Sequence, residues 1–153
     1  MDVQYINPFI TATVHVLKTM AHTEVTPGKP YLKKEKVAKG DVSGLIGLTG
    51  DVSGTISVSF SEKSILSIVS AMFGEKVQAL NDEIGDAVGE IANMISGQAR
   101  QALEAMGRPL QAAIPSVIMG KGHQITHITN HPVVAIPFQT DNGGFTIEVS
   151  FEK

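Results

Sequence analysis

Glu90 and Asn93 stand three residues apart in the run IGDAVGEIANMISGQARQALEAMG. On a helix such a pair are neighbours, with β-carbons about 5–6 Å apart. A carboxylate and a neutral amide placed this way can enter one cleft of another molecule together. The carboxylate can pair with a cation, and the amide can accept through its carbonyl and donate through its NH2 group. Advancing each residue by about 100° puts Asp86, Glu90, Asn93, Gly97, Gln101 and Glu104 within roughly 80° of one another. A polar face is ordinarily just solvated, but two details single this one out. Asn93 is a poor helix former, because its amide competes for backbone hydrogen bonds. Gly97, one turn on, costs about 1 kcal/mol relative to alanine and leaves room for another surface to approach. Met94 sits at the rim, where its adaptable side chain can touch a partner or pack into the core.

The element that must hold these residues is a long helix from Asn81 to Gly107. Asn81 or Asp82 can cap its start, and Asp82 and Glu83 sit where the positive end of the helix dipole favours acids. Gly107 followed by Arg108-Pro109 supplies a stop. Ile84, Val88, Ile91, Ala92, Ile95, Ala99, Ala102, Leu103 and Met106 form the core-facing stripe, an arc of roughly 120°.

At 153 residues the chain suits one domain, able to bury about 68–70% of its unfolded surface. With 42% apolar and 18% charged residues it has the composition of an ordinary folded protein. A net charge of −3 gives no general reason to expect nucleic acid or an anionic membrane as partner. The absence of cysteine excludes disulfides and thiolate metal sites and suits a reducing cytosol. Met1-Asp2-Val3-Gln4 lacks the features of a signal peptide, and no apolar run approaches membrane-spanning length. The expected location is the cytoplasm.

Along the chain, Asn7-Pro8 reads as an N-cap and first helical residue, opening a helix that runs to about Ala21. Thr26 to Pro30 is a break, and Tyr31 to Val37 reads as a lysine-rich strand whose lysines guard an exposed edge. Gly44 to Phe60 reads as a hairpin turning near Thr49-Gly50-Asp51. Ser61 caps a short helix that ends at Phe73-Gly74. Strands are expected over Ala112–Met119, Gln124–Thr129, Val133–Phe138 and Phe145–Phe151, with Gly120-Lys121-Gly122 and Asp141-Asn142-Gly143-Gly144 as punctuation.

Thr55-Ile56-Ser57-Val58-Ser59-Phe60 matches Thr146-Ile147-Glu148-Val149-Ser150-Phe151 in pattern and nearly in letter. The helix ends at Met20 and Met106 are also alike. The chain therefore reads as two related halves, about residues 5–60 and 82–153, joined by the short helix 61–73. In that register Asn93 falls on Asn7 and Glu90 on Gln4, so Gln4/Asn7 is either a vestigial second site or, for Asn7, a simple helix cap.

Asp86-x3-Glu90-x2-Asn93, followed by Pro115, resembles the signature of the CheC/CheX/FliY family of chemotaxis phosphatases. Tyr5-Ile6-Asn7-Pro8-Phe9-Ile10 and the run Ile84 to Ile95 are similar to its CheX-like branch, and the likeness spans essentially the whole chain. The resemblance implies an α+β fold with long helices packed on a largely antiparallel sheet. It implies a phosphatase acting on a phosphorylated CheY-type response regulator, with a homodimer as the assembly. It also implies that Glu90 and Asn93 are catalytic and that Asp86, Met94 and Gly97 contact the partner. No cofactor belongs to this chain, and magnesium is expected from the regulator. CheC-like members carry Glu-x-x-Asn in both halves; Gln4 puts a second active site here in doubt. The other reading is a non-catalytic adaptor that binds a regulator or a flagellar-motor component through the same helix face.

Rival sites are weaker. His123, His127 and His131 are spaced by four, but in a β-rich context where three such side chains do not converge on a metal. Asp41-Val42-Ser43-Gly44 and Asp51-Val52-Ser53-Gly54 both read as turn chemistry at a strand start and not as nucleophile elbows. No phosphate-binding glycine loop is present.

Overall fold

The computed structural model describes residues 3–35, 37–126 and 131–152. Helices α1 (Val3–Ala21), α2 (Glu62–Phe73) and α3 (Asp82–Ala105) pack on one antiparallel sheet. Its strands are β1 (Thr26–Pro27), β2 (Tyr31–Lys33), β3 (Val37–Gly50), β4 (Ser53–Phe60), β5 (Leu110–Ala112), β6 (Ser116–Thr126), β7 (Val133–Thr140) and β8 (Gly143–Glu152). The order is β1-β7-β8-β4-β3-β5, with β2 also on β7 and β6 also on β3. This is the α+β arrangement expected from the sequence.

Period-two alternation places the core. Ile46, Ile56, Val149 and Val134 stand in one cross-strand row and share a single apolar cluster with the helices. The two hexapeptides that match in sequence are direct neighbours, running antiparallel with Ser57 opposite Glu148.

Helix α3 is fixed at both ends by its own residues. Asn81 Oδ1 accepts from the Ile84 N–H at 3.1 Å. At the other end Arg108 N–H donates to the Leu103 carbonyl and Gly107 N–H to that of Glu104, both at 2.9 Å. Gly107 has the positive φ of 79° that this closure demands. Between the ends, α3 lies so close to β3 that a β-carbon on Gly44 would stand 3.1 Å from Ala92 Cβ.

Besides the expected Ala112–Met119 strand, which is broken into β5 and β6 across residues 113–115, four expectations differ from the fold. Helix α1 already includes Val3, so Asn7 is no cap and Pro8 lies within the helix. Pro8 there removes only the donor that would meet the Gln4 carbonyl. Burial of Tyr5, Ile6 and Phe9, worth about 1.5–3 kcal/mol each, offsets that loss. Lys33 does not guard an edge: it turns inward to buried Glu148 at 3.1 Å and donates to the Val37 carbonyl at 2.6 Å. Tyr31 to Val37 is correspondingly split between β2 and the start of β3.

The third and fourth differences share a cause. Strand β6 runs straight through Gly120-Lys121-Gly122, and Asp41-Val42-Ser43-Gly44 lies inside β3 and not at a turn. The β3–β6 register slips between Gly40 and Val42, so the glycines serve a bulge. Asp41 holds it: Oδ1 accepts from Gly122 N–H at 2.9 Å and Oδ2 from Glu62 N–H at 2.7 Å, tying β6 to the first residue of α2. Of the Gln124–Thr129 strand, residues 127–129 lie outside those described.

The Gly122 donor first, then that of Glu62, holds the Asp41 carboxyl below the usual carboxylate range. Its contribution is therefore complete above the unfolded aspartate value of about 3.9 and is lost as pH falls through the lower folded value. Asp41→Asn keeps an acceptor but loses the charge, and should cost about 1–2 kcal/mol in denaturant unfolding at pH 7. That difference should shrink as pH falls below about 4 and vanish below the lower folded value; a gap that persists there would show that the carboxylate charge is not the stabilising feature.

Candidate active site

The outward face of α3 carries the residues singled out by spacing. Ile84, Val88, Ile91, Ile95, Ala99 and Leu103 are fully buried, which sets the rotation of the helix. Asp86, Glu90 and Asn93 are consequently exposed. None of the three makes a hydrogen bond or ion pair among the described residues. Met94 is half-buried against the apolar cluster, so it forms the wall of this face more than its tip. Gly97 is half-buried too, and its missing β-carbon would have one neighbour within 4 Å, Arg100 Nη2 at 4.0 Å.

One flank of this face is closed by β6. Gly85 and Gly89, one turn apart, sit under it: a β-carbon on Gly85 would meet Met119 Cε at 3.0 Å, and one on Gly89 would meet Val117 Cγ2 at 3.4 Å. Strand β6 can therefore lie close along the helix without covering Glu90 or Asn93.

On the other flank the expected core stripe is too long. Ala102 and Met106 are exposed, Met106 by 46%. They line, with Gln4, Asn7 and Pro8 of α1, an open groove of about 520 Å³ between the two helices. The reason lies at the helix ends. Tyr5 hydrogen-bonds to Asp51, and Arg108 donates to the Tyr5 hydroxyl at 3.1 Å, so the start of α1 is drawn towards the β3–β4 turn. Gln4 and Asn7 are thus exposed on α1, separate from the Glu90–Asn93 pair.

The histidine rival lies only partly within the described residues. His123 Nε2 is 2.8 Å from Ser43 Oγ and its Nδ1 is 2.8 Å from the Gly120 carbonyl, a bridge between β3 and β6. His127 lies outside the described residues. Among the described residues no three His, Cys, Asp or Glu side chains gather where a metal could be held. No described helix is long and apolar enough to cross a membrane.

An exposed carboxylate beside an exposed amide, on a rigid helix and without an enclosing pocket, can act only on something that docks onto it. Comparison with known proteins bears on what that is. The family described as chemotaxis phosphatase CheX matches residues 42–139. This chain belongs to that family. It is 29% identical over 126 residues to the CheY-P phosphatase CheX of Thermotoga maritima, covering 82% of this chain and 81% of that one. The crystal structure of a CheX chemotaxis protein from Desulfovibrio desulfuricans is 53% identical and superposes with a TM-score of 0.92, over 97% of this chain and 99% of the other. The CheX–CheY–BeF3–Mg2+ complex from Borrelia burgdorferi contains a chain 27% identical, with a TM-score of 0.84 and coverage of 99% and 100%.

Arg100 was not singled out by the spacing argument, although its position roughly 20° from Asn93 around the helix could have flagged it. Its guanidinium lies over Gly97, on the same side of α3.

Because Asn93 makes no hydrogen bond among the described residues, replacing it should not harm the fold. Asn93→Ala should raise stability by about 0.5 kcal/mol through helix propensity alone, read by thermal or denaturant unfolding. A loss above about 1 kcal/mol would mean that Asn93 serves the structure.

Proposed function

We propose that this protein hydrolyses the aspartyl phosphate of a CheY-type response regulator in the cytosol, with the outward face of α3 entering the regulator's phosphorylation pocket. The observation that carries the reading is the pair Glu90 and Asn93, exposed together on α3 and without partners among the described residues. Membership of the CheX family and the Borrelia burgdorferi complex with CheY support it.

An aspartyl phosphate is a mixed anhydride, and its hydrolysis needs chiefly a water held in line with the leaving carboxylate. Asn93 suits that task. Its carbonyl accepts a hydrogen bond from the water and its NH2 group donates to oxygen. Being neutral, it does not repel the phosphoryl group as a carboxylate would. Glu90, one turn earlier, pairs with a cationic residue of the regulator, the lysine beside its phosphorylated aspartate. Magnesium comes with the regulator, where it offsets phosphoryl charge. Asp86 touches the partner at the periphery, and Met94 and Gly97 shape the contact. If orientation of one water accelerates hydrolysis a hundred- to a thousand-fold, it supplies about 3–4 kcal/mol of barrier lowering, a demand one positioned amide can meet.

The same reading includes a homodimer. Strand β6 is an unpaired sheet edge among the described residues, with Ile118 and Met119 each exposed by more than a third. Pairing with a second copy would cover such an edge. The division into two related halves, with Gln4/Asn7 as a vestigial second site, also belongs to this proposal. Asn7 is exposed within α1 as Asn93 is within α3.

Phosphate release from a panel of phosphorylated CheY-type regulators tests the function. Wild type should accelerate release from at least one. Asn93→Ala should bind that regulator as well as wild type does and lose at least a hundred-fold in turnover. Glu90→Ala should weaken binding about ten-fold, the scale of one interfacial ion pair. Full turnover by Asn93→Ala would remove the proposed role of the amide.

A further inference from the structure

Arg100 is held in a state that no described residue explains. Its Nε is buried and has no hydrogen-bond partner, and the side chain makes no ion pair among the described residues. One turn earlier the Ser96 hydroxyl is buried and unpartnered as well. A buried N–H left without an acceptor is costly, because its lost hydration is not replaced. A pairing within α3 is one turn away, at Glu104, which is exposed. The guanidinium instead extends the other way, back towards the helix N-terminus as helical side chains lean, and lies over Gly97.

That direction has a consequence for the face. Gly97 is about 6 Å along the axis from Asn93, and Glu90 is about 4.5 Å from Asn93 on its other side. An anion, a neutral amide and a cation therefore follow one another along the exposed side of α3. A β-carbon at position 97 would make ordinary contact with the guanidinium, and a longer side chain there would compete with it for this space.

We infer that Arg100 is a docking residue, whose guanidinium receives a carboxylate on the rim of the partner's phosphorylation pocket. This rests on the phosphatase reading above. Gly97, over which the guanidinium lies, is about 6 Å along the axis from Asn93 and on the side away from Glu90, which sets the guanidinium towards the rim of the pocket and not its centre. A rim carboxylate is the anion it can meet. With Glu90 seeking a cation and Arg100 an anion, a receiver docked end-for-end would face like charges at both contacts. The pair therefore fixes the direction in which α3 crosses the pocket, and selects among receivers by their rim charge.

The test uses Arg100→Gln and Arg100→Lys, with folding verified by thermal unfolding. The probes are the CheY-type receivers of the panel above, each taken both phosphorylated and loaded with BeF3− and Mg2+. Arg100→Gln should raise KM, and Kd for the BeF3−-loaded receiver, about ten-fold, with kcat within about two-fold of wild type. Its Kd should also depend less steeply on NaCl concentration, and Arg100→Lys should recover most of the affinity. Unchanged Kd and salt dependence in Arg100→Gln would overturn the inference. So would a fall in kcat at constant KM, which would place Arg100 on the phosphoryl group. Equal losses in Gln and Lys variants with lowered melting temperatures would make its role purely structural. If wild type binds the BeF3−-loaded receivers but releases no phosphate from the same receivers when they are phosphorylated, the phosphatase reading fails while the Kd comparison still decides Arg100; if it binds none, both fall.

Discussion

The rotation of α3 about its own axis is the constraint on which everything else depends. One residue of slip turns a helix by about 100°, which would carry Asn93 from solvent into the sheet or under α1. What prevents slip is the buried side: Ile84, Val88, Ile91, Ile95 and Leu103 are all inaccessible to water. At about 1.5–3 kcal/mol for each such side chain, that burial far exceeds the 1–2 kcal/mol or so that Asn93 and Gly97 cost in helix propensity. Packing therefore decides where the polar residues point, and those residues are free to be poor helix formers. Gly44 beneath the helix and Gly85 and Gly89 beside β6 let the neighbouring strands close on α3, so the seat is tight as well as apolar.

A site built this way offers side chains and no cavity. Glu90, Asn93 and the Arg100 guanidinium project from or lie along a rigid rod, so their relative positions are set before any partner arrives. The division of labour in the proposed reaction follows. The regulator brings the phosphoryl group and the metal; this chain brings an oriented amide and two charges. Such a site gains activity only in complex, and its selectivity rests on the fit and charge of the rim it meets.

Legibility in the sequence followed the physics of each element. Helices α2 and α3 were readable to within a residue or two, because Ser61, Gly74, Asn81 and Gly107 carry out their capping through local hydrogen bonds and backbone angles. The β3–β4 hairpin was readable from alternation, and the Glu90–Asn93 face from period alone. The failures are of another kind. Pro8 looked like a first helical residue, but contacts of Tyr5, Ile6 and Phe9 with distant parts of the chain extend α1 past it. Gly120 to Gly122 looked like a turn because the bulge partner, Asp41, is some eighty residues away. Lys33 looked like an edge guard because Glu148 is more than a hundred residues on. Met106 lies in line with the buried stripe, yet the packing of α1 leaves it in an open groove. Arg100 escaped notice because its significance lies in an unmade hydrogen bond, which no sequence displays.

The central claim is that the face of α3 from Asp86 to Arg100 is the surface presented to a response regulator. Backbone amide shifts of this protein, measured as a BeF3−- and Mg2+-loaded CheY-type receiver is added, test it most directly. The account predicts perturbations centred on residues 86–100 and the adjoining part of β6, with the α1 groove and the β1–β2 edge little changed. A footprint on the α1 groove or the β1–β2 edge, with Glu90 and Asn93 unperturbed, would contradict it.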